Sequence, residues 1–224
     1  MHCMSESKPL NSQHTRMKIL FDIGANRGLY TDANIDKYDL CILVEANPAL
    51  AQFLESKYNG NPKVRIENVI ISNKESETFY ISNADTISTV DKEWITQSRF
   101  SGNYTWQPVE GIQTVSIDFL IQKYGAPLFL KVDVEGYEYN VLQSLTQRVP
   151  SLCFEWAEEK KDEILLTLNY LQTLGYKHYA LQFEDSYIYQ VEESDWIPFE
   201  TIYSYMDILC NTSRKEKWGM IWAS

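Results

Sequence analysis

A chain of 224 residues with 44% hydrophobic content is long enough to bury one sizeable α/β core, or at a stretch two small ones. Its formal charge of −11, from 31 acids against 20 bases, leaves no broad basic face and argues against a nucleic-acid partner. The four cysteines, Cys3, Cys41, Cys153 and Cys210, form no C-x-x-C pair and no zinc spacing; Cys41 and Cys153 lie in apolar runs and read as buried thiols, which points to a reducing, cytoplasmic setting.

The polar segment 1–16 reads as a flexible tail without a signal-peptide core, and it holds His2 and His14. One domain, 17–224, is expected after it, with no apolar run near the ~20 residues of a membrane span. Segment 18–23 reads as the first strand and 28–37 as its helix. Between them stands Phe21-Asp22-Ile23-Gly24-Ala25-Asn26-Arg27-Gly28. Strand, glycine turn and helix form the arrangement in which backbone amides and a helix N-terminus face a nucleotide-like ligand. The glycines stand as Gly-x-x-x-Gly, whereas a dinucleotide loop reads G-x-G-x-x-G. Without pyrophosphate spacing, and with an acid just ahead, the turn suits a ligand with a cationic amino acid end and no phosphates, such as S-adenosylmethionine. Asp22 then orients the loop or meets the ligand's ammonium; the plainer role is to cap the turn amides. Gly24 and Gly28 permit close backbone approach. Asn26 donates to a ligand carboxylate or holds a left-handed turn.

Segment 40–45 is a second buried strand. It ends in Glu45, followed by Ala46 and Asn47, and Pro48 suits the first turn of the next helix. Glu45 falls roughly 20 residues beyond the glycine turn, where an acid reaches ribose hydroxyls; the alternative is a helix-capping acid. Segment 64–71 reads as a third strand, and 78–82 extends it or forms an edge. Asn68 is placed to read an adenine edge, or is a turn asparagine. Segment 127–133 is a fourth strand, running into Lys131-Val132-Asp133-Val134-Glu135-Gly136. Three charges crowd its C-terminal end, the ligand crevice of an open α/β sheet. A buried Lys131 is costly unless Asp133 pairs with it. Alternation places Lys131, Asp133 and Glu135 on one side, as a site or as a structural ion pair with a helix cap.

Segment 151–156 is a fifth strand, ending in Glu155, a base or a holder of a substrate hydroxyl, and Trp156, which stacks on a sugar ring or simply packs. Apolar spacing over 160–174 marks a helix that Gly175 stops. Segments 176–183 and 218–223 are the last strands, and His178 reads as structural. Two long connections are expected as insertions, near 83–113 with Trp94, Phe100, Tyr104 and Trp106, and near 185–214 with a hairpin-like Tyr187-Ile188-Tyr189 and a helix around 199–209. Connections of that length act as lids or substrate walls.

Together these motifs resemble the FkbM-type S-adenosylmethionine-dependent methyltransferases. The resemblance rests on the Asp22 to Gly28 turn, Val44-Glu45-Ala46-Asn47-Pro48, Asn68-Val69-x-Ile71-Ser72, Val115-Ser116-Ile117-Asp118-Phe119-Leu120 and, most specifically, the 130–136 run. It implies an α/β, Rossmann-like class I fold: a seven-strand, mostly parallel sheet in order 3-2-1-4-5-7-6, strand seven antiparallel, helices on both faces. S-adenosylmethionine is then expected on Asp22, Gly24, Ala25, Asn26, Gly28, Glu45, Ala46, Asn68 and Asp133. The implied acceptor is a hydroxyl of a sugar, glycan or glycosylated small molecule. Ile87-Ser88-Thr89-Val90 matches the family's serine-rich stretch loosely, and 185–214 does not align.

A hydroxyl needs a base within reach. Asp133 is the first candidate, then Glu135 and Glu155, with Lys131 keeping Asp133 ionised. If Asp133 instead holds the donor's ammonium, the base role passes to Glu155. No metal is expected, because an ion between Asp133 and Glu155 would have sparse ligands. Two other classes are an NAD-type or nucleotide-sugar oxidoreductase, which the missing middle glycine disfavours, and a non-catalytic binding module, which the intact turn and acidic cluster disfavour.

Overall fold

A computed structural model describes residues 17–212 and 217–224. The tail 1–16, with Cys3 and its two histidines, lies outside the described residues, as does 213–216 of the second expected insertion. The chain begins with strand β1 (Ile19–Ile23), helix α1 (Leu29–Asn34), strand β2 (Leu40–Val44) and helix α2 (Pro48–Lys57). Strands β3 (Val64–Glu67), β4 (Ile70–Ile71) and β5 (Phe79–Ser82), helix α3 (Lys92–Gln97) and strands β6 (Trp106–Val109) and β7 (Thr114–Val115) follow. Next come α4 (Ile117–Tyr124), β8 (Phe129–Val132), α5 (Glu138–Leu142), β9 (Ser151–Ala157) and α6 (Lys161–Thr173). The chain closes with β10 (His178–Phe183), β11 (Ile197–Pro198), α7 (Phe199–Thr212) and β12 (Trp218–Ala223).

The main sheet has eight strands in the order β3-β2-β1-β8-β9-β12-β10-β11. Seven of them reproduce the expected order. The eighth, β11, is a two-residue antiparallel addition at the edge. Pairing is parallel from β3 to β9, and β12 runs antiparallel to both β9 and β10. Strand alternation explains the core on each face. Ile19, Phe21 and Ile23 of β1 join Ile42, Val44, Leu130 and Val132 on one side, whereas Leu20 joins Cys41, Leu43, Phe129 and Cys153 on the other. Asp22 and Lys131, partners in the β1–β8 register, are the charged pair on that second face.

Several local signals act as read. Asn47 caps α2 by accepting from the Ala49 amide, with Pro48 at its first position. Gly175, at φ +93°, follows the end of α6. Cys41 and Cys153 are buried free thiols. Three expectations need correction. The 64–71 run is not one strand: the chain leaves the sheet after Glu67, and Ile70–Ile71 pairs with Thr114–Val115 in a separate small sheet. Strand β5 neither extends nor edges the main sheet; it pairs with Trp106–Val109. Tyr187-Ile188-Tyr189 forms a turn closed by the Tyr189 amide on the Ser186 carbonyl, not a hairpin. Among the described residues no helix is long and apolar enough to cross a membrane.

Candidate active site

A cavity of about 400 Å³ opens at the edge where β1, β2, β8 and β9 end. One half is built on the glycine turn. Gly24 stands at φ +75°, and a Cβ there would lie 1.6 Å from the Asp133 carbonyl oxygen. The Gly24 and Ala25 amides both donate to the Val44 carbonyl at 3.0 Å, which ties the turn to the end of β2. Asn26 is left-handed at φ +49°; its side chain donates to the Asp85 carbonyl at 2.9 Å. The Asn26 amide donates to Glu45 Oε2 at 2.7 Å, and the Asn47 amide donates to Glu45 Oε1 at 2.8 Å. Glu45 thus braces two turns and still lines the cavity beside Ala46. A carboxylate offers about four acceptor sites, so two remain for ligand hydroxyls. Burial pushes the Glu45 carboxyl up to about 7, against the pull of the two amides.

Three residues expected at the ligand do not line this cavity. Asn68 spends its amide on the Glu45 and Ala46 carbonyls, at 2.7 and 3.1 Å, and Val69 and Ile70 form the wall in its place. Gly28 makes room for α2: a Cβ would sit 2.7 Å from the Tyr58 hydroxyl. Asp22 is fully buried, where Thr31 donates to its Oδ2 at 2.7 Å and Lys131 Nζ lies 3.5 Å from Oδ1. It does not cap the turn amides: those of Gly24 and Ala25 go to Val44 and that of Asn26 to Glu45.

The other half gathers the charges of β8 and β9. Phe154 pairs with Val132, so the next residues, Glu155 and Asp133, stand side by side. Asp133, Glu135 and Glu155 bring carboxylate oxygens within 4.8 Å of one another. Lys131 Nζ sits 3.0 Å from Asp133 Oδ2 and 5.6 Å over the Tyr30 ring. Burial alone would lower the Lys131 ammonium, but Asp133 and Asp22 beside it raise it, so it stays charged. Burial pushes Glu135 and Glu155 well above the usual carboxylate range, and their acidic neighbours push in the same direction. Carboxyls this close disfavour one another's charge and titrate as a group rather than singly. With Glu135 as a third member, the cluster also offers the oxygen-only donor set of a hard divalent ion, one ligand more than the sequence suggested.

Trp156 is not a stacking platform. It is 1% exposed, donates to the Gln182 carbonyl at 3.3 Å and meets Phe183 edge-on. Trp218 lines the cavity instead, with Asp185 and Tyr187. Asp185 and Tyr187 come from the 185–214 connection, whose length was their signal, whereas Trp218 begins the last strand and carries no mark as a site residue. Asn34, buried at the end of α1, donates to the Tyr30 and Tyr187 carbonyls at 2.9 and 2.8 Å and so ties the Tyr187 turn to the helix after the glycine turn. Glu138 was also missed; it accepts from the Val134 and Gly136 amides, as a helix-capping acid next to the 130–136 run would. His178 is exposed at the start of β10, away from the strand ends that carry the site.

Burial also pushes Glu138 up to about 7 and Asp185 up to about 6. A carboxyl raised by folding favours the folded state while protonated. That contribution is full below the ordinary carboxylate range and is lost as pH rises through the folded value. With Glu45, these groups are expected to lower the melting temperature of the ligand-free protein between about pH 5 and about pH 8. A series of thermal melts checks this, and a flat or rising series would contradict it.

Residues 22–178 match the family model described as a methyltransferase FkbM domain. No curated protein matches the chain. Among solved structures, it is similar to a precorrin-6y C5,15-methyltransferase from Geobacter metallireducens at 9% identity and a TM-score of 0.45, over 93% of this chain and 81% of that one. Others are M. jannaschii TYW2 in complex with AdoMet (15%, 0.36, covering 92% and 68%) and the plantazolicin methyltransferase BpumL in complex with SAH (9%, 0.41, covering 93% and 76%).

Proposed function

The chain belongs to the FkbM methyltransferase family, with S-adenosylmethionine as its donor, and from that premise we propose that it methylates a hydroxyl of a sugar, glycan or glycosylated small molecule. The observation that carries this reading is the convergence of Asp133, Glu135 and Glu155 beside Lys131 in the same cavity as the glycine turn. A hydroxyl is a poor nucleophile near neutral pH and needs a proton acceptor within hydrogen-bond reach.

The residues present fit the donor. The cavity volume lies within the range of small-ligand sites, the Glu45 carboxylate keeps acceptor capacity for ribose hydroxyls, and the turn at Gly24 to Asn26 carries no pyrophosphate spacing. When bound, the donor supplies an electrophilic sulfonium methyl. Asp133, ion-paired with Lys131, takes the acceptor proton, and Glu135 and Glu155 hold acceptor hydroxyls. Trp218 and Tyr187 offer aromatic faces and Asp185 a further acceptor, a wall suited to a polyhydroxylated ring. Much of the rate would come from holding donor and acceptor in near-attack geometry.

Calorimetry with S-adenosylmethionine and S-adenosylhomocysteine tests the donor site, with NAD as control. Micromolar binding is expected for the first two and none for NAD. Glu45→Ala removes a charged, buried acceptor and should weaken binding at least about tenfold. Equal binding to Glu45→Ala would remove Glu45 from the donor site.

A further inference from the structure

Glu135 has an unusual backbone. It stands at φ +59°, left-handed for a residue with a full side chain, and Gly136 follows at φ +88°. That conformation is disfavoured for an L-residue and persists only where the surroundings over-determine it. One restraint is local, and a second packs on the loop from α3. Glu138 accepts from the amides on either side of Glu135, those of Val134 at 2.9 Å and Gly136 at 3.3 Å. The indole of Trp94 lies against Gly136, close enough that a Cβ would fall 2.9 Å from it, so no larger residue fits there.

The third restraint is remote in sequence. The hydroxyl of Thr89 donates to the Glu135 carbonyl at 2.8 Å across 46 residues. Thr89 is fully buried and is itself fixed by paired backbone bonds with Tyr80, at 2.8 and 3.0 Å. Its oxygen also accepts from the Asp91 amide at 2.9 Å. Like Trp94, it comes from the connection between β5 and β6, and it bonds the Glu135 carbonyl directly. Turning Glu135 to an ordinary negative φ would rotate its Cβ, and with it the carboxylate.

We propose that Thr89 is a positioning residue for Glu135, its hydroxyl holding the left-handed peptide so that the carboxylate stays in the cavity beside Asp133 and Glu155. The inference rests on the reading of this cavity as the methyl-transfer site. It gives the 83–113 connection a definite task, that of a clamp on the Lys131 to Gly136 loop. Charged groups facing Glu135 are Asp133 and Lys131 from β8, Glu138 on α5, Glu155 on β9 and Arg99 beyond α3, so its carboxylate signal reports its place among them.

The test uses the full chain with glutamate labelled at the side-chain carboxyl carbon, observed by ¹³C NMR at one fixed pH. The Glu135 resonance is assigned by its loss in Glu135→Gln. Thr89→Val keeps the shape and removes the hydroxyl; Thr89→Ala removes it without a branched replacement. In whichever of these folds by thermal melt, the Glu135 resonance is expected to shift while S-adenosylhomocysteine affinity stays at the parent value, and Thr89→Ser is expected to restore the parent position. An unmoved Glu135 resonance in a folded variant overturns the proposal. So does the same displacement in Thr89→Ser, which would credit the methyl group, and so does unfolding of both Val and Ala variants, which would give Thr89 a purely architectural role. Failure of the parent to bind S-adenosylhomocysteine would count against the functional reading, while a shifted Glu135 resonance would still uphold the clamp.

Discussion

Asp133→Asn is expected to cut turnover by about 10²–10⁴-fold, the range of a positioned general base, while S-adenosylhomocysteine affinity stays near that of the parent. The substitution keeps the side chain's shape and removes its ability to take a proton. The fold should survive it. Lys131 keeps Asp22 at 3.5 Å as a second carboxylate, and the backbone of residue 133, whose amide donates to the Ile23 carbonyl at 3.1 Å, is untouched. Turnover and calorimetry on the same preparation separate the two roles of Asp133. Retained donor binding with lost turnover supports the base. Lost donor binding would show that Asp133 holds the donor's ammonium and would pass the proton to Glu155, which stands beside it on β9.

Gly24→Ala should be the most destabilising single substitution in the glycine turn. Its φ of +75° already disfavours a side chain by about 1–2 kcal/mol. The added Cβ would then lie 1.6 Å from the Asp133 carbonyl oxygen and 2.7 Å from its carbon. Both are backbone atoms of the residue whose amide bonds the Ile23 carbonyl, so no rotamer change relieves the clash. Strain of this kind in a packed site adds about 1–3 kcal/mol or more. At about 2–4 °C per kcal/mol for a chain of this size, the melting temperature should fall by roughly 10 °C, and donor binding should fall with it. Gly60→Ala is the control. Gly60 has nearly the same φ, +76°, but a Cβ there meets nothing within 4 Å. Equal losses in the two variants would refute the steric argument.

Gly24 and Gly60 also show where sequence reading stops. Gly24 and Gly28 look alike in the chain, yet one accommodates the Asp133 peptide and the other the Tyr58 ring; what a glycine makes room for is a tertiary fact. Continuous apolar runs made β1, β2, β8 and β9 legible, because a strand covered on both faces has no polar alternation to preserve. The same signal misled at 64–71, where Asn68 turns inward to bond the carbonyls of 45 and 46 and the remaining apolar residues pair elsewhere. In the site, Lys131, Asp133 and Glu45 were legible because charges at the end of a buried strand demand partners. Asp85, Asp185 and Trp218 were not, because long connections and the last strand bring them in without any periodic mark.

Asn34 carries a thermodynamic consequence. One side chain fastens the helix that follows the glycine turn to the Tyr187 turn, and both line the same cavity. Any shift of α1 on donor binding is therefore expected to reach the wall proposed for the acceptor. Such coupling is reciprocal: the factor by which donor tightens acceptor binding equals the factor by which acceptor tightens donor binding. Donor affinity measured with trial acceptors present thus becomes a screen for the acceptor itself, with no turnover required.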